Sequence, residues 1–149
     1  MGFDYFVGEL RCASCGRVSA PDGKTDLQTK IRDDADLSYL GVGAKVDAGS
    51  RNLRDSDYLE LRPPAGAECR LLQTWDCGFC AAPPNWALIV IRDGEIREVL
   101  SVAMNRETLA SANYIDESDA RILYAQSTGL SPSELGGGDL PDELRRRVK

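Results

Sequence analysis

Two pairs of cysteines carry the chemistry of this sequence. Cys12-Ala13-Ser14-Cys15-Gly16 lies near the start, and Cys77-Gly78-Phe79-Cys80 repeats the spacing in the second half. A C-x-x-C turn lets two thiolates face one cation while backbone N–H groups point at the sulfurs. Two such turns complete a tetrahedral four-sulfur site, which Zn²⁺ favours. Iron, or turns without a metal, are the alternatives. The chain has no His, which removes Ser-His-Asp triads, Cys-His dyads and His-ligated metals. Four thiolates leave no open coordination position, and a closed site supplies folding energy rather than catalysis. The expected ligands are therefore Cys12, Cys15, Cys77 and Cys80 around one structural Zn²⁺. The fifth cysteine, Cys69, reads as a small buried residue on the strand leading to the second turn. A redox thiol or a substitute ligand is the other reading. Thioredoxin-like chemistry is set aside because neither turn opens a helix within a βαβ pattern.

Strands must position these turns. Phe3 to Arg11 reads as a strand running into the first turn, and Thr25 to Ile31 alternates as a half-buried strand after Pro21-Asp22-Gly23. Residues 32–57 are polar and read as a long insertion with one short strand at most. Tyr58 to Leu61 and Cys69 to Trp75 follow as strands, the second entering Cys77. Asp93-Gly94 between Trp86–Ile91 and Ile96–Val102 predicts a tight β-hairpin, since Asp-Gly supplies the positive φ angles of its turn. The first arm is apolar on both faces, as a central strand is. A helix capped by Asn105 is expected to run to about Ile115. A second, capped by Asp116 or Ser118, ends at Gly129. Ser131-Pro132-Ser133-Glu134 forms a capping box that Gly136-Gly137-Gly138 interrupts, and Asp139 to Lys149 suits a short helix.

Strand, knuckle, strand, knuckle and hairpin in that order resemble the zinc-ribbon group of domains over residues 3–18 and 70–102. Gly16 matches the knuckle's need for a residue tolerant of positive φ. The second turn departs from that pattern, because Ala81 follows Cys80 and the glycine lies inside the turn at Gly78. Rubredoxin-like iron sites share the two knuckles, but the long insertion and the displaced glycine set this chain apart from them. The resemblance concerns architecture and implies no single activity. The expected fold is α+β: a mostly antiparallel sheet containing the Cys₄ zinc ribbon, with two C-terminal helices packed on one side. Residues 1–130 read as one domain, and 131–149 as a Gly-rich linker with a short helix or tail.

The 149 residues are 42% hydrophobic, enough for a core, and carry 24 acidic against 18 basic side chains for a net charge of −6. That balance opposes a nucleic-acid partner, whose binding rests on Lys and Arg, and suits a basic protein partner. No stretch approaches the ~18 apolar residues of a membrane span, and the first residues lack the pattern of a secretory signal, so the expected location is cytoplasmic. Asp33, Asp34 and Asp36 in the acidic insertion, with Asp47, Asp55, Asp57 and Glu60 nearby, are the candidate partner surface. Gly41-Val42-Gly43 lacks the third glycine of a dinucleotide loop and reads as a plain loop. Trp75 and Trp86 flank the second knuckle as core residues or, alternatively, exposed anchors. Arg145-Arg146-Arg147 reads as the end of a helix. Two function classes follow. One is a non-catalytic, zinc-stabilised, acidic protein-binding module, such as an inhibitor or immunity protein that neutralises a bacterial toxin. The other is a nucleic-acid- or transcription-associated zinc ribbon.

Overall fold

A computed structural model describes residues 4–18, 24–29, 31, 38–46, 53, 57–80, 84–129 and 140–149. Along the chain these form β1 (Asp4–Val7), β2 (Lys24–Thr29), β3 (Tyr39–Leu40), β4 (Tyr58–Glu60), β5 (Glu68–Trp75), β6 (Asn85–Arg92) and β7 (Glu95–Val102). They continue as α1 (Arg106–Ser111), β8 (Tyr114–Asp116), α2 (Glu117–Thr128) and α3 (Leu140–Arg147). Two sheets result, one ordered β2-β1-β3 and the other β4-β8-β5-β6-β7. All pairings are antiparallel except β1 with β3 and β5 with β8. The fold is α+β. None of the helices among the described residues is long and apolar enough to cross a membrane.

The larger sheet forms the middle layer because its inner strands β5, β6 and β8 bury side chains on both faces. Successive side chains of a strand point to opposite sides, and β6 uses this fully. Ala87, Ile89 and Ile91 enter a core shared with Phe6, Leu10, Leu27 and Leu40 of the smaller sheet and its loops. Trp86, Leu88 and Val90 enter a second core with Leu109, Leu123, Tyr124, Leu140, Leu144 and Val148 of the helices. Each fully buried aliphatic side chain there contributes about 1.5–3 kcal/mol, so β6 stabilises both layers at once. The Asp93-Gly94 turn adopts the expected geometry, with φ of 53° and 73°, and joins β6 to β7.

Polar ties fix the layers in register. The Tyr58 hydroxyl lies 2.8 Å from Gln73 Oε1 and 3.1 Å from Thr29 Oγ1, and the Gln73 amide donates to the Gln28 carbonyl. This buried network joins β4 and β5 to β2 across the sheet–sheet core, and burial drives the Tyr58 phenol well above its ordinary pKa. On the other face, Asp119 of α2 accepts from Thr74 N and Thr74 Oγ1, both at 2.7 Å, and anchors the helix to β5.

Two elements differ from the sequence reading. Asn105 does cap α1, accepting from Thr108 N at 2.9 Å, but the helix ends at Ser111 rather than near Ile115. Tyr114 and Ile115 are each 0% exposed and face opposite cores. Adjacent residues buried in opposite directions demand a strand, and β8 slots between β4 and β5. Asn113 prepares that insertion: its N–H donates to the Arg70 carbonyl and its Oδ1 accepts from Arg70 N, each at 2.9 Å. The first strand is also shorter than Phe3 to Arg11. It stops at Val7, where Gly8 packs so closely on Val99 that a Cβ would lie 2.9 Å from the valine methyl. The second helix keeps its expected limits, with Asp116 as N-cap and Gly129 as left-handed C-cap.

Candidate metal centre

Each cysteine turn closes a β-hairpin. After β1, Arg11 pairs with Val18, Cys12 N donates to the Arg17 carbonyl at 2.9 Å, and Gly16 N donates to the Cys12 carbonyl at 3.0 Å. Gly16 sits at φ +75°, where a side chain would be strained, so this glycine lets the chain return after Cys15. The second turn is the tip of the β5–β6 hairpin, whose final paired residues are Trp75 and Asn85. The local hydrogen bonding repeats between the two. Ser14 N points at Cys12 Sγ, and Phe79 N points at Cys77 Sγ, each at 3.4 Å.

The two turns meet. Sγ atoms of Cys12, Cys15, Cys77 and Cys80 all lie within 4.8 Å of one another. Cys12 Sγ is 3.8 Å from Cys80 Sγ, and Cys15 Sγ is 3.6 Å from Cys77 Sγ. Disulfides have sulfurs about 2.05 Å apart, so both separations belong to free thiols. A tetrahedron with metal–sulfur bonds of about 2.3 Å has sulfur–sulfur edges of about 3.8 Å. The four residues therefore fit a metal ion without rearrangement of the two closest pairs. Cys12 is buried in the sheet–sheet core, Cys77 and Cys80 are half-buried against it, and Cys15 is exposed. The centre thus roots on one side in the core and opens on the other to solvent.

Electrostatics favour the thiolate form at the buried end. Hydrogen bonds from the Cys15 backbone and the Asn85 side chain outweigh burial and bring the Cys12 thiol down to about 6. Asn85 is a residue that the cysteine spacing does not reveal. It is 8% exposed, its Nδ2 donates to Cys12 Sγ at 3.4 Å, and its Oδ1 accepts from Ala13 N at 3.0 Å. One amide thus fastens the first knuckle to the strand that leaves the second. Its sequence signal is a polar residue opening the otherwise apolar run Asn85-Trp86-Ala87-Leu88-Ile89-Val90-Ile91. The Arg17 guanidinium lies 5.1 Å from the centre of the exposed Phe79 ring, placing a positive group beside both turns.

Other singled-out residues fall elsewhere. Cys69 is buried on β5 outside the four-sulfur cluster, and burial pushes its thiol up to about 12, which suits a core residue and not a nucleophile. Trp75 and Trp86 are both buried, on opposite faces of the middle sheet, so neither is an exposed anchor. Gly41 to Ala44 forms a turn, with Gly43 N donating to the Ile96 carbonyl at 2.7 Å, as a loop reading requires. Glu60 accepts from the Tyr114 hydroxyl at 3.0 Å. Asp33, Asp34 and Asp36 lie outside the described residues, as do Asp47, Asp55, the Pro21-Asp22-Gly23 turn, Ala81 and the Ser131–Gly138 segment. Compared with family models, curated proteins and solved structures, the chain matches none.

Proposed function

We propose that the protein is a non-catalytic, zinc-stabilised module that binds a basic protein. The observation that carries this reading is the cluster of four thiols within 4.8 Å of one another, with its two closest pairs at 3.6 and 3.8 Å. An all-sulfur donor set selects Zn²⁺ among abundant divalent ions, and four protein ligands leave no position for a substrate. The metal staples two hairpins that are distant in sequence, so its binding free energy becomes folding free energy. When bound, it supplies that cross-link alone. Cys12, Cys15, Cys77 and Cys80 hold it, the Ser14 and Phe79 N–H groups and the Asn85 amide stabilise the sulfurs, and the hairpins carry the constraint into both cores.

Charge supports the choice of partner. The formal charge of −6 counts Cys as neutral, and four thiolates around one Zn²⁺ bring the loaded chain to about −8. Such a molecule steers basic proteins towards itself and repels nucleic acid. Inhibition of a basic toxin by an immunity-type protein is the form of this reading that size, charge and a closed metal site support together. Asp33, Asp34 and Asp36 are the proposed contact residues. The test is capture from native lysate on the zinc-loaded chain, followed by stopped-flow association with the purified captured protein. Association that slows on raising salt from 0.1 to 1 M, where screening shortens from ~10 to ~3 Å, and slows again in the D33N/D34N/D36N chain supports the reading. Capture of a nucleic-acid complex, or an on-rate indifferent to salt and to the triple substitution, contradicts it.

A further inference from the structure

Three arginines from separate parts of the chain open onto one cavity of about 160 Å³. Its walls are Arg62, two residues past β4, Arg106, Leu109 and Ala110 of α1, and Arg145 of α3. Several other arginines among the described residues pair with carboxylates: Arg92 with Glu68, Arg121 with Glu117, Arg146 and Arg147 with Glu143. At the cavity only Arg145 has a carboxylate partner among the described residues. Arg62 Nε donates to the Ala112 carbonyl at 3.1 Å, which fixes the guanidinium and leaves its terminal nitrogens with no acceptor among the described residues. Arg145 is held by the Leu61 carbonyl and by Asp142. The Arg106 side chain has no hydrogen-bond or ion-pair partner among the described residues.

Asp142 offsets the charge of Arg145, whereas Arg62 and Arg106 have no carboxylate partner among the described residues, and a guanidinium held by a backbone carbonyl is already oriented for an anion. Arginine forks match the oxygens of carboxylates and phosphates. The remaining wall is apolar, formed by the side chains of Leu109 and Ala110. A cavity of about 150 Å³ accommodates a molecule the size of benzene. We propose that this cavity binds a compact organic oxyanion, a carboxylate or phosphate carried on a body no larger than one ring. Its charge meets Arg62, Arg106 and Arg145, and its apolar part lies on α1. The site is independent of the metal centre. Because it touches α1, α3 and the chain after β4, an occupant also bridges α3 to the sheet. Three arginines on a chain of net charge −6 suit a small anion better than a polyanionic backbone.

The test is calorimetric titration of the zinc-loaded full chain at low salt with benzoate, with phenyl phosphate and, as an uncharged control, with benzyl alcohol. At least one anion should saturate a single site with Kd below about 1 mM, and the alcohol should not bind. The tighter anion identifies the headgroup as carboxylate or phosphate. Arg106→Gln should weaken that binding at least about tenfold while the melting temperature without ligand stays unchanged, since Arg106 makes no intramolecular pair there. Failure of both anions to saturate by about 10 mM, equal binding of the alcohol, or undiminished binding to Arg106→Gln would overturn the proposal.

Discussion

Asp116 offers a quantitative check on the helix side of the fold. It caps α2, accepting from Asp119 N at 3.1 Å, while burial first and the charges of Asp119 and Asp57 next raise its carboxyl from 3.8 to about 6. The folded state therefore holds this proton more tightly than the unfolded chain does. The stabilising effect of protonation is complete below about pH 4 and is lost as pH rises through about 6. At 1.36 kcal/mol per pH unit, an ionised Asp116 costs about 3 kcal/mol near neutrality, reduced to about 1–2 kcal/mol by its partial contact with solvent. Asp116→Asn keeps the capping acceptor and removes the charge. At pH 7.5 the variant should be more stable by about 1–2 kcal/mol, or about 3–8 °C in Tm, and the gap should close by pH 4. Comparing the two chains at each pH cancels any loss of metal common to both. Calorimetry of both proteins between pH 4 and 7.5 provides the assay. A gap that does not change with pH, or an Asn variant less stable at pH 7.5, would mean that Asp116 is not held protonated by the fold.

Asn85→Ala should lower metal affinity about 10–100-fold and stability by about 1–2 kcal/mol, because it removes both the amide on Cys12 Sγ and the tie to Ala13. Competition with a chromophoric chelator reads the affinity, and an unchanged value would mean that Asn85 does not support the centre. Cys69 should resist alkylation in the metal-loaded protein until denaturant is added, since its thiol is buried and raised to about 12. Peptide mapping that finds Cys69 modified in the metal-loaded protein as fast as in denaturant would contradict that burial.

Much of this arrangement is legible in the sequence where the signal is local. Asp93-Gly94 specifies its own turn, the apolar run of β6 specifies a strand covered on both faces, and Asp116 and Gly129 bracket α2. The cysteine spacing likewise brings forward Cys12, Cys15, Cys77 and Cys80, and these are the residues that the fold brings together. What escapes depends on contacts between distant segments. Tyr114 and Ile115 continue a helical pattern begun at Asn105, and only their insertion beside Leu71 and Leu72 of β5 makes them a strand. The division into two sheets is hidden for the same reason, since nothing local in β2 specifies pairing with β1 rather than with β5. Asn85 is unremarkable until the first knuckle lies against it. The cavity arginines come from three segments whose proximity depends on how α1 and α3 dock.

In the proposed function four thiolates hold one zinc, and this ion staples the fold. Native mass spectrometry with elemental analysis of the purified chain, repeated on Cys77→Ser, tests it most directly. The parent protein should carry one zinc per chain. Cys77→Ser should lose the zinc together with cooperative unfolding of the whole sheet, because Cys77 joins the β5–β6 hairpin to the turn after β1. A parent protein with well below one zinc per chain and all thiols free, or a Cys77→Ser chain as stable as the parent, would contradict it.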